Sequence, residues 1–467
     1  MPLFPPRTPR LRTLLLALLG LLSALGAVSA VGAGQRPARP NVIFILADDL
    51  GYGDLGCYGQ RSFRTPHLDR MAEGMRFTQF YAGSTVCAPS RCVLMTGLHT
   101  GHAYIRGNAK TNLRPEDVTV AEVVRRAGYT TGLVGKWGLG HEGSSGVPTR
   151  QGFDSFFGYL DQTHAHNYYP TFLHRNEERV PLRNVVPNEG KVGQGVATVR
   201  LDYSHDLMTE EALRFLDRSR ERPFFLYLAY TIPHANNEAG ANGMEVPDLG
   251  EYANEDWPPA QKAHAAMIAR MDRDIGRLFE RLKALGLDER TMVVFTSDNG
   301  PHREGGFDPE PSDSNGPLRG IKRALYEGGI RVPMLVRWPG QVRAGSASDH
   351  VGYFADVLPT LAELAGTPLT TATDGISFAP TLRGRSAEQR RHEALYWEFY
   401  EQGSARALRM GDWKAVAKPF HGEIELYNLK EDPGETRSVA AEHPEQVEAM
   451  RRRMDREHVP NPLWKLP

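Results

Sequence analysis

The stretch NVIFILADDLGYGD occupies residues 41–54. Asn41 to Ala47 is a near-continuous apolar run, the pattern of a strand buried on both faces of a parallel sheet. Asp48 and Asp49 follow at its C-terminal end, the edge where open α/β sheets place their sites. Two adjacent carboxylates leaving an apolar strand are costly unless something positive meets them. A hard divalent cation with oxygen ligands is the simplest partner. A solvated turn is the other reading, since Asp and Gly51 are turn formers.

The pattern recurs along the chain. Thr130–Gly135, Pro223–Tyr230 and Thr291–Thr296 read as further short buried strands, and Val332–Arg337 as another. Lys136 stands at the exit of the first, His234 just beyond the second, and Asp298 with Asn299 close the third. Helices are expected at Val118–Ala127, Tyr203–Arg218, Ala260–Leu285 and Val351–Leu364. In Ala260–Leu285 the series Met267, Met271, Ile275, Leu278, Leu282 and Leu285 has helical spacing and reads as core.

Cys87-Ala-Pro-Ser-Arg-Cys-Val-Leu-Met-Thr-Gly97 is the second informative stretch. Pro89 suits a first helical turn and Gly97 a helix end. Cys87 then sits at a helix N-terminus, where unpaired N–H groups favour negative charge. Arg91, four residues on, shares its face. A reactive group beside a fixed guanidinium suits an anionic ester; a small buried residue at a turn is the plainer alternative.

Cys87-x-Pro89-x-Arg91 with Leu94, Thr96 and Gly97 resembles the signature of the formylglycine-dependent sulfatases, of the alkaline phosphatase superfamily. The resemblance extends to Asp48-Asp49-Leu50-Gly51-Tyr52-Gly53-Asp54, to Gly135-Lys136-Trp137, to Asp298-Asn299, and to Gly320-x-Lys322 with Glu327-Gly-Gly-x-Arg331-Val-Pro333. It covers roughly residues 41–460.

It implies an α/β fold: a large mixed, mostly parallel sheet between helices, with a small C-terminal antiparallel-sheet subdomain. It implies that Cys87 is oxidised to formylglycine by a maturation enzyme. Ca²⁺ would be held by Asp48, Asp49, Asp298 and Asn299 together with residue 87. Arg91, Lys136, His234 and Lys322 would contact the sulfate or the leaving oxygen. The activity implied is sulfate ester hydrolysis, on a sulfated small molecule or glycan, through a covalent sulfate intermediate on the formylglycine diol. Arg331 and Glu327 are expected to pair structurally. One position departs from the family pattern: where a His commonly helps hold the formylglycine, this chain has Gly138, and His141 is the nearest candidate in sequence to replace it.

Composition fits a large globular chain. Of 467 residues, 40% are apolar and 24% charged, and the formal charge of -1 gives no reason to expect nucleic acid. Arg7, Arg10 and Arg12 precede the apolar run Leu14–Leu25, and Val28-Ser29-Ala30 is a small-residue cleavage site. This is an export signal, so residues 1–33 are expected to be leader and start of linker. The mature chain would begin near Val31 and be periplasmic or secreted, with no stable membrane insertion. A catalytic domain is expected over residues 34–385 and a C-terminal subdomain over 386–467. The latter carries short strands at Ala394–Phe399, Arg406–Met410 and Lys414–Ala417 and a final helix at Pro444–Glu457.

Three cysteines are too few for a disulfide scaffold, and whether Cys57 and Cys92 bridge is open. Residues 142–200, with His164, His166, Tyr168 and Tyr169, read as loops suited to sugar or ring substrates. Alternative functions are a phosphomonoester or phosphonate hydrolase on the same scaffold, and a catalytically weak sulfoglycan-binding protein. A structural protein retaining a relic site is a third, against which the two carboxylate half-sites speak.

Overall fold

The computed structural model describes residues 1–3 and 39–466. The expected leader and its cleavage site fall among residues 4–38, outside the described residues. The described residues from Arg39 onward form one compact unit.

β1 (Asn41–Ala47) is the centre of the large sheet, and all seven of its residues are buried. Val42, Phe44 and Leu46 enter one hydrophobic core, while Ile43, Ile45 and Ala47 enter the other. Successive strand residues point to opposite faces, so a strand covered on both sides must be apolar throughout. The remaining strands are β2 (Met75–Tyr81), β3 (Thr130–Lys136), β4 (Ser155–Tyr159), β5 (Phe172–Arg175), β6 (Glu178–Pro181), β7 (Phe224–Ala229), β8 (Thr291–Ser297), β9 (Arg331–Arg337) and β10 (Ser346–Ser348). The order is β10-β2-β9-β8-β1-β7-β3-β4-β5-β6, and a two-residue β11 (Gly352–Tyr353) also pairs with β2. β8, β1, β7, β3 and β4 are mutually parallel. β9 runs antiparallel to both β8 and β2, and β5 and β6 close the far edge antiparallel.

Helices Cys87–Thr96, Val120–Arg126 and Val357–Ala365 cover one face; Pro66–Met71, Ser204–Arg218 and Pro259–Ala284 cover the other. Met267, Met271, Ile275, Leu278 and Leu282 of the longest helix are buried, as their spacing predicts. Among the described residues no helix is long and apolar enough to cross a membrane.

Three expectations about elements need correction. The helix expected from Val118 begins at Val120, because Thr119 caps it: Glu122 N donates to Thr119 Oγ1 at 3.2 Å and Thr119 N to Glu122 Oε2 at 2.8 Å. The helix expected from Val351 begins at Val357, because Gly352 and Tyr353 pair with Phe80 and Tyr81 instead. Residues 142–200 are not all loop: β4 to β6 lie there and extend the main sheet.

The C-terminal sheet is antiparallel in sequence order: β12 (Leu395–Phe399), β13 (Ala405–Met410), β14 (Trp413–Ala417) and β15 (Ile424–Asn428). Helix Pro444–Glu457 packs on it through Met450 and Met454.

Candidate active site

Parallel pairing brings the C-terminal ends of β8, β1, β7 and β3 to one edge. Each end delivers a polar residue there: Asp298 and Asn299 after β8, Asp48 and Asp49 after β1, His234 after β7, and Lys136 as the last residue of β3. Cys87 and Arg91 come from the helix on one face, and Lys322 from the loop before β9. Every one of these side chains is buried.

Asp49 sits at a sharp exit with φ 63, a left-handed conformation that costs a non-glycine residue about 1–3 kcal/mol. Its N–H donates to Asp298 Oδ1 at 3.1 Å, tying the two half-sites together. Gly135 explains how Lys136 reaches them. Its φ is 118, and a Cβ there would lie 1.9 Å from the Ala229 carbonyl oxygen of β7. Only glycine lets β3 turn so close to its neighbour.

Lys136 Nζ donates to Asp48 Oδ2 at 2.7 Å, and Lys322 Nζ to Asp49 Oδ2 at 2.7 Å. Arg91 grips Asp298 Oδ2 through Nε at 3.1 Å and a terminal nitrogen at 2.8 Å, and donates to the Lys136 carbonyl at 2.7 Å. Three carboxylates thus face three fixed cations. A divalent cation added to this set would leave an excess of positive charge, which suits an anionic substrate.

Titration follows from these pairings. Burial alone would raise Asp48, but Lys136, with His234, Arg91 and Lys322, holds it well below the usual carboxylate range. Burial would lower Lys136 and Lys322, but Asp48 and Asp49 respectively keep them above the ordinary lysine value. Asp298 is pushed up to about 7 by burial and by Asp48, with Arg91 opposing. The Cys87 thiol donates to Asp48 Oδ1 at 3.5 Å. Burial carries this thiol far above its usual value despite Lys136, and Asp48 and Asp298 add to the rise. An unmodified Cys87 is therefore a thiol here, not a thiolate nucleophile.

The His234 tautomer is set by its neighbours. Nδ1 lies 2.7 Å from the Ala235 carbonyl and so carries the proton. Nε2 presents its lone pair to Lys322 Nζ at 3.1 Å and lies 3.4 Å from Asp49 Oδ2. Burial and then Lys322 hold this imidazole well below its ordinary pKa, so it is neutral.

Asn299 tests the site for a metal. Its Nδ2 donates to Asp49 Oδ1 at 2.7 Å and to the Gly300 carbonyl at 2.9 Å. Its Oδ1 is buried with no hydrogen-bond partner among the described residues. An orphaned amide oxygen beside three carboxylates is a set of hard donors, and it fits Ca²⁺. The candidate ligand atoms of Asp48, Asp49, Cys87 and His234 all lie within 4.8 Å of one another.

The structure brings together every site residue expected from sequence: Asp48, Asp49, Cys87, Arg91, Lys136, His234, Asp298, Asn299 and Lys322. It does not bring His141. That ring bonds Asn112 Oδ1 through Nδ1 at 2.7 Å and faces Asp161 Oδ2 through Nε2 at 3.1 Å, so neither nitrogen is free for the Gly138 vacancy. Arg331 and Glu327 pair at 3.3 Å, as expected. All three cysteines are free thiols.

Two neighbours were not assigned to the site from sequence. Glu304 lies 3.3 Å from Lys322 Nζ and is drawn down to about 2, Lys322 outweighing its burial. His166 stacks on His234 with ring centroids 4.9 Å apart and bonds Glu238 at 3.2 Å. The aromatic crowding at 164–169 was the one sequence signal for His166; Glu304 had none.

Comparison with known proteins gives a consistent family. The sulfatase family model matches residues 40–367, and the model described as "N-sulphoglucosamine sulphohydrolase, C-terminal" matches residues 321–459. Arylsulfatase A of Homo sapiens is 33% identical over 90% of this chain and 88% of its own. N-acetylgalactosamine-6-sulfatase of Homo sapiens is 32% identical over 82% of this chain and 72% of its own. Among solved structures, Ps i-CgsB in complex with k-i-k-neocarrahexaose superposes with a TM-score of 0.77 at 27% identity, covering 92% of this chain and 95% of that one.

Proposed function

The chain belongs to the sulfatase family and is an arylsulfatase-like sulfuric ester hydrolase; from that premise we propose that it is calcium-dependent and that its nucleophile is formylglycine made from Cys87. The observation that carries this reading is the placement of Cys87 at a helix N-terminus, with its Sγ 3.5 Å from Asp48 Oδ1, among hard oxygen donors and fixed cations.

Asp48, Asp49, Asp298 and Asn299 would hold the calcium, with residue 87 beside them. Bound there, calcium would supply Lewis-acid charge to the ester's oxygens. Formylglycine, once hydrated, supplies an oxygen nucleophile and a second hydroxyl that a serine lacks.

The chain's own groups do the rest. Arg91 is committed to Asp298 and to the Lys136 carbonyl, so its work is to fix a ligand carboxylate and the end of β3. Lys136 keeps further N–H bonds beyond the one it gives Asp48, and these donate to sulfuryl oxygens, whereas the three N–H bonds of Lys322 face Asp49, His234 and Glu304. His234 Nε2 has a lone pair, so in this arrangement the proton for the departing oxygen lies on Lys322, with His234 orienting the ammonium. Burial of the whole set strengthens every one of these interactions relative to water.

A sulfated carbohydrate is the substrate class we favour. N-acetylgalactosamine-6-sulfatase and the Ps i-CgsB complex with k-i-k-neocarrahexaose both align with most of this chain, and the polar, aromatic 162–169 segment reaches the site through His166. The leader-like residues 1–33 further support export to a periplasm or exterior, where calcium is available.

Sulfate release is the test. Protein made in a host that forms formylglycine should liberate sulfate from an aryl sulfate and from a sulfated monosaccharide, and chelation should abolish it. Faster turnover of the matching phosphate or phosphonate ester would replace this reading with the alternative hydrolase.

A further inference from the structure

Gly138 lies two residues beyond Lys136, at the edge of the site, with φ 76. The space its side chain would enter is occupied. A Cβ at position 138 would lie 2.2 Å from Gln162 Nε2 and 2.7 Å from Gln162 Cδ. With the Gln162 side chain in this orientation, no side chain fits at position 138, and glycine there leaves the amide its place.

The Gln162 amide is also unsatisfied. Both Nε2 and Oε1 are buried with no hydrogen-bond partner among the described residues. Leaving such a group unpaired costs about 1–3 kcal/mol per lost partner, so a packing role alone accounts for it poorly. An amide that served only to fill space would be better replaced by an apolar side chain of the same shape.

Its surroundings bear on what the missing partner is. Gly138 N donates to the Leu160 carbonyl, which ties the chain after β3 to the chain after β4. Residues 162–166 follow directly on that segment. At one end Gln162 abuts Gly138, beside the lysine that bonds Asp48. At the other, His166 stacks on His234. The two orphaned atoms are one donor and one acceptor, which together match a hydroxyl group, itself both donor and acceptor. A bare sulfuryl oxygen would satisfy only the donor.

We propose that Gln162 is a positioning residue for the reacting group at position 87: its amide accepts from and donates to the hydroxyls that formylglycine presents when hydrated, in the space a side chain on residue 138 would otherwise fill. The proposal rests on the formylglycine reading above. Because an amide does not titrate, Gln162 orients that group and moves no proton.

The test is a thermodynamic cycle with the near-isosteric Gln162→Met variant, each protein prepared with formylglycine and with unmodified Cys87. With Cys87 unmodified, Gln162→Met should leave the unfolding temperature unchanged or raise it, since an unpaired buried amide is removed. With formylglycine present, the same substitution should lower it. In the modified enzyme kcat should fall on the order of 10²-fold with KM held, the loss typical of one preorganised hydrogen-bonding group. Equal temperature shifts in both forms, or an unchanged kcat with full aldehyde content, would overturn the role of Gln162 while leaving the sulfatase reading intact. An absence of aldehyde in an enzyme that still releases sulfate would overturn both.

Discussion

Asp298 shows how one residue is asked to serve two partners. Its Oδ1 receives the Asp49 N–H and its Oδ2 the Arg91 guanidinium. Truncating it to alanine would leave Arg91 buried and unpaired, at a cost of about 3–5 kcal/mol, and would confuse metal loss with unfolding. Asp298→Asn keeps the shape and one acceptor oxygen, which can stay on Arg91, while the charge and the bond from the Asp49 N–H are lost. That variant should stay folded, lose stoichiometric calcium by elemental analysis, and lose at least about 10²-fold in kcat/KM. A full complement of calcium in the variant would remove Asp298 from the ligand set.

At the scale of elements, most of the site was legible because chemistry follows burial in this sheet. A strand covered on both faces must be largely apolar, so Asp48, Lys136, His234 and Asp298 each announce themselves as the first charged or imidazole side chain after such a run. Cys87–Thr96 was legible through Pro89 at its start and Gly97 at its end, where φ is 70. β4 to β6 were not, because they are short, edge-ward and partly polar, and β11 is only two residues long. Gln162 and Glu304 were invisible for a different reason: they reach the site by tertiary approach, and nothing in their local sequence marks the distance. Gly135 belongs to this scale as well. Gly135→Ala should destabilise the fold by about 2–4 kcal/mol in urea unfolding, from left-handed strain plus the clash with Ala229, and should cost activity by displacing Lys136. A neutral substitution would show that β3 does not need its close approach to β7.

For the whole molecule, we propose residue 386 as the start of the C-terminal subdomain, joined to the catalytic part by buried polar contacts. Trp397 Nε1 donates to the Ala82 carbonyl at 2.9 Å. Glu327, just before β9, accepts from Lys414 of β14 at 2.9 Å and from the Tyr81 hydroxyl at 2.6 Å. Glu435 completes the cluster, 3.0 Å from Lys414 Nζ and bonded to the Glu327 N–H. Lys414 cannot fully serve both carboxylates. Burial keeps Glu435 protonated up to about 7, against its ordinary value of 4.5, with Lys414 opposing and Glu327 adding to the rise. A carboxyl raised in the folded state contributes stability that is complete below its unfolded value and is lost as pH rises through the folded one. Wild-type stability relative to Glu435→Gln should therefore fall by about 3 kcal/mol between pH values of about 4.5 and 7, read from urea midpoints of the two proteins. A constant difference across that window would mean that Glu435 is ionised throughout.

Mass spectrometry of the Cys87 peptide, from protein made in a host able to convert it, tests the central claim most directly. Formylglycine formation replaces the thiol by an aldehyde, which a hydrazide captures, and the site's charges suit an oxygen nucleophile beside a hard cation. An aldehyde is expected at residue 87, its occupancy scaling with sulfate release, and Cys87→Ala should release no sulfate. An intact Cys87 thiol in fully active enzyme would contradict it.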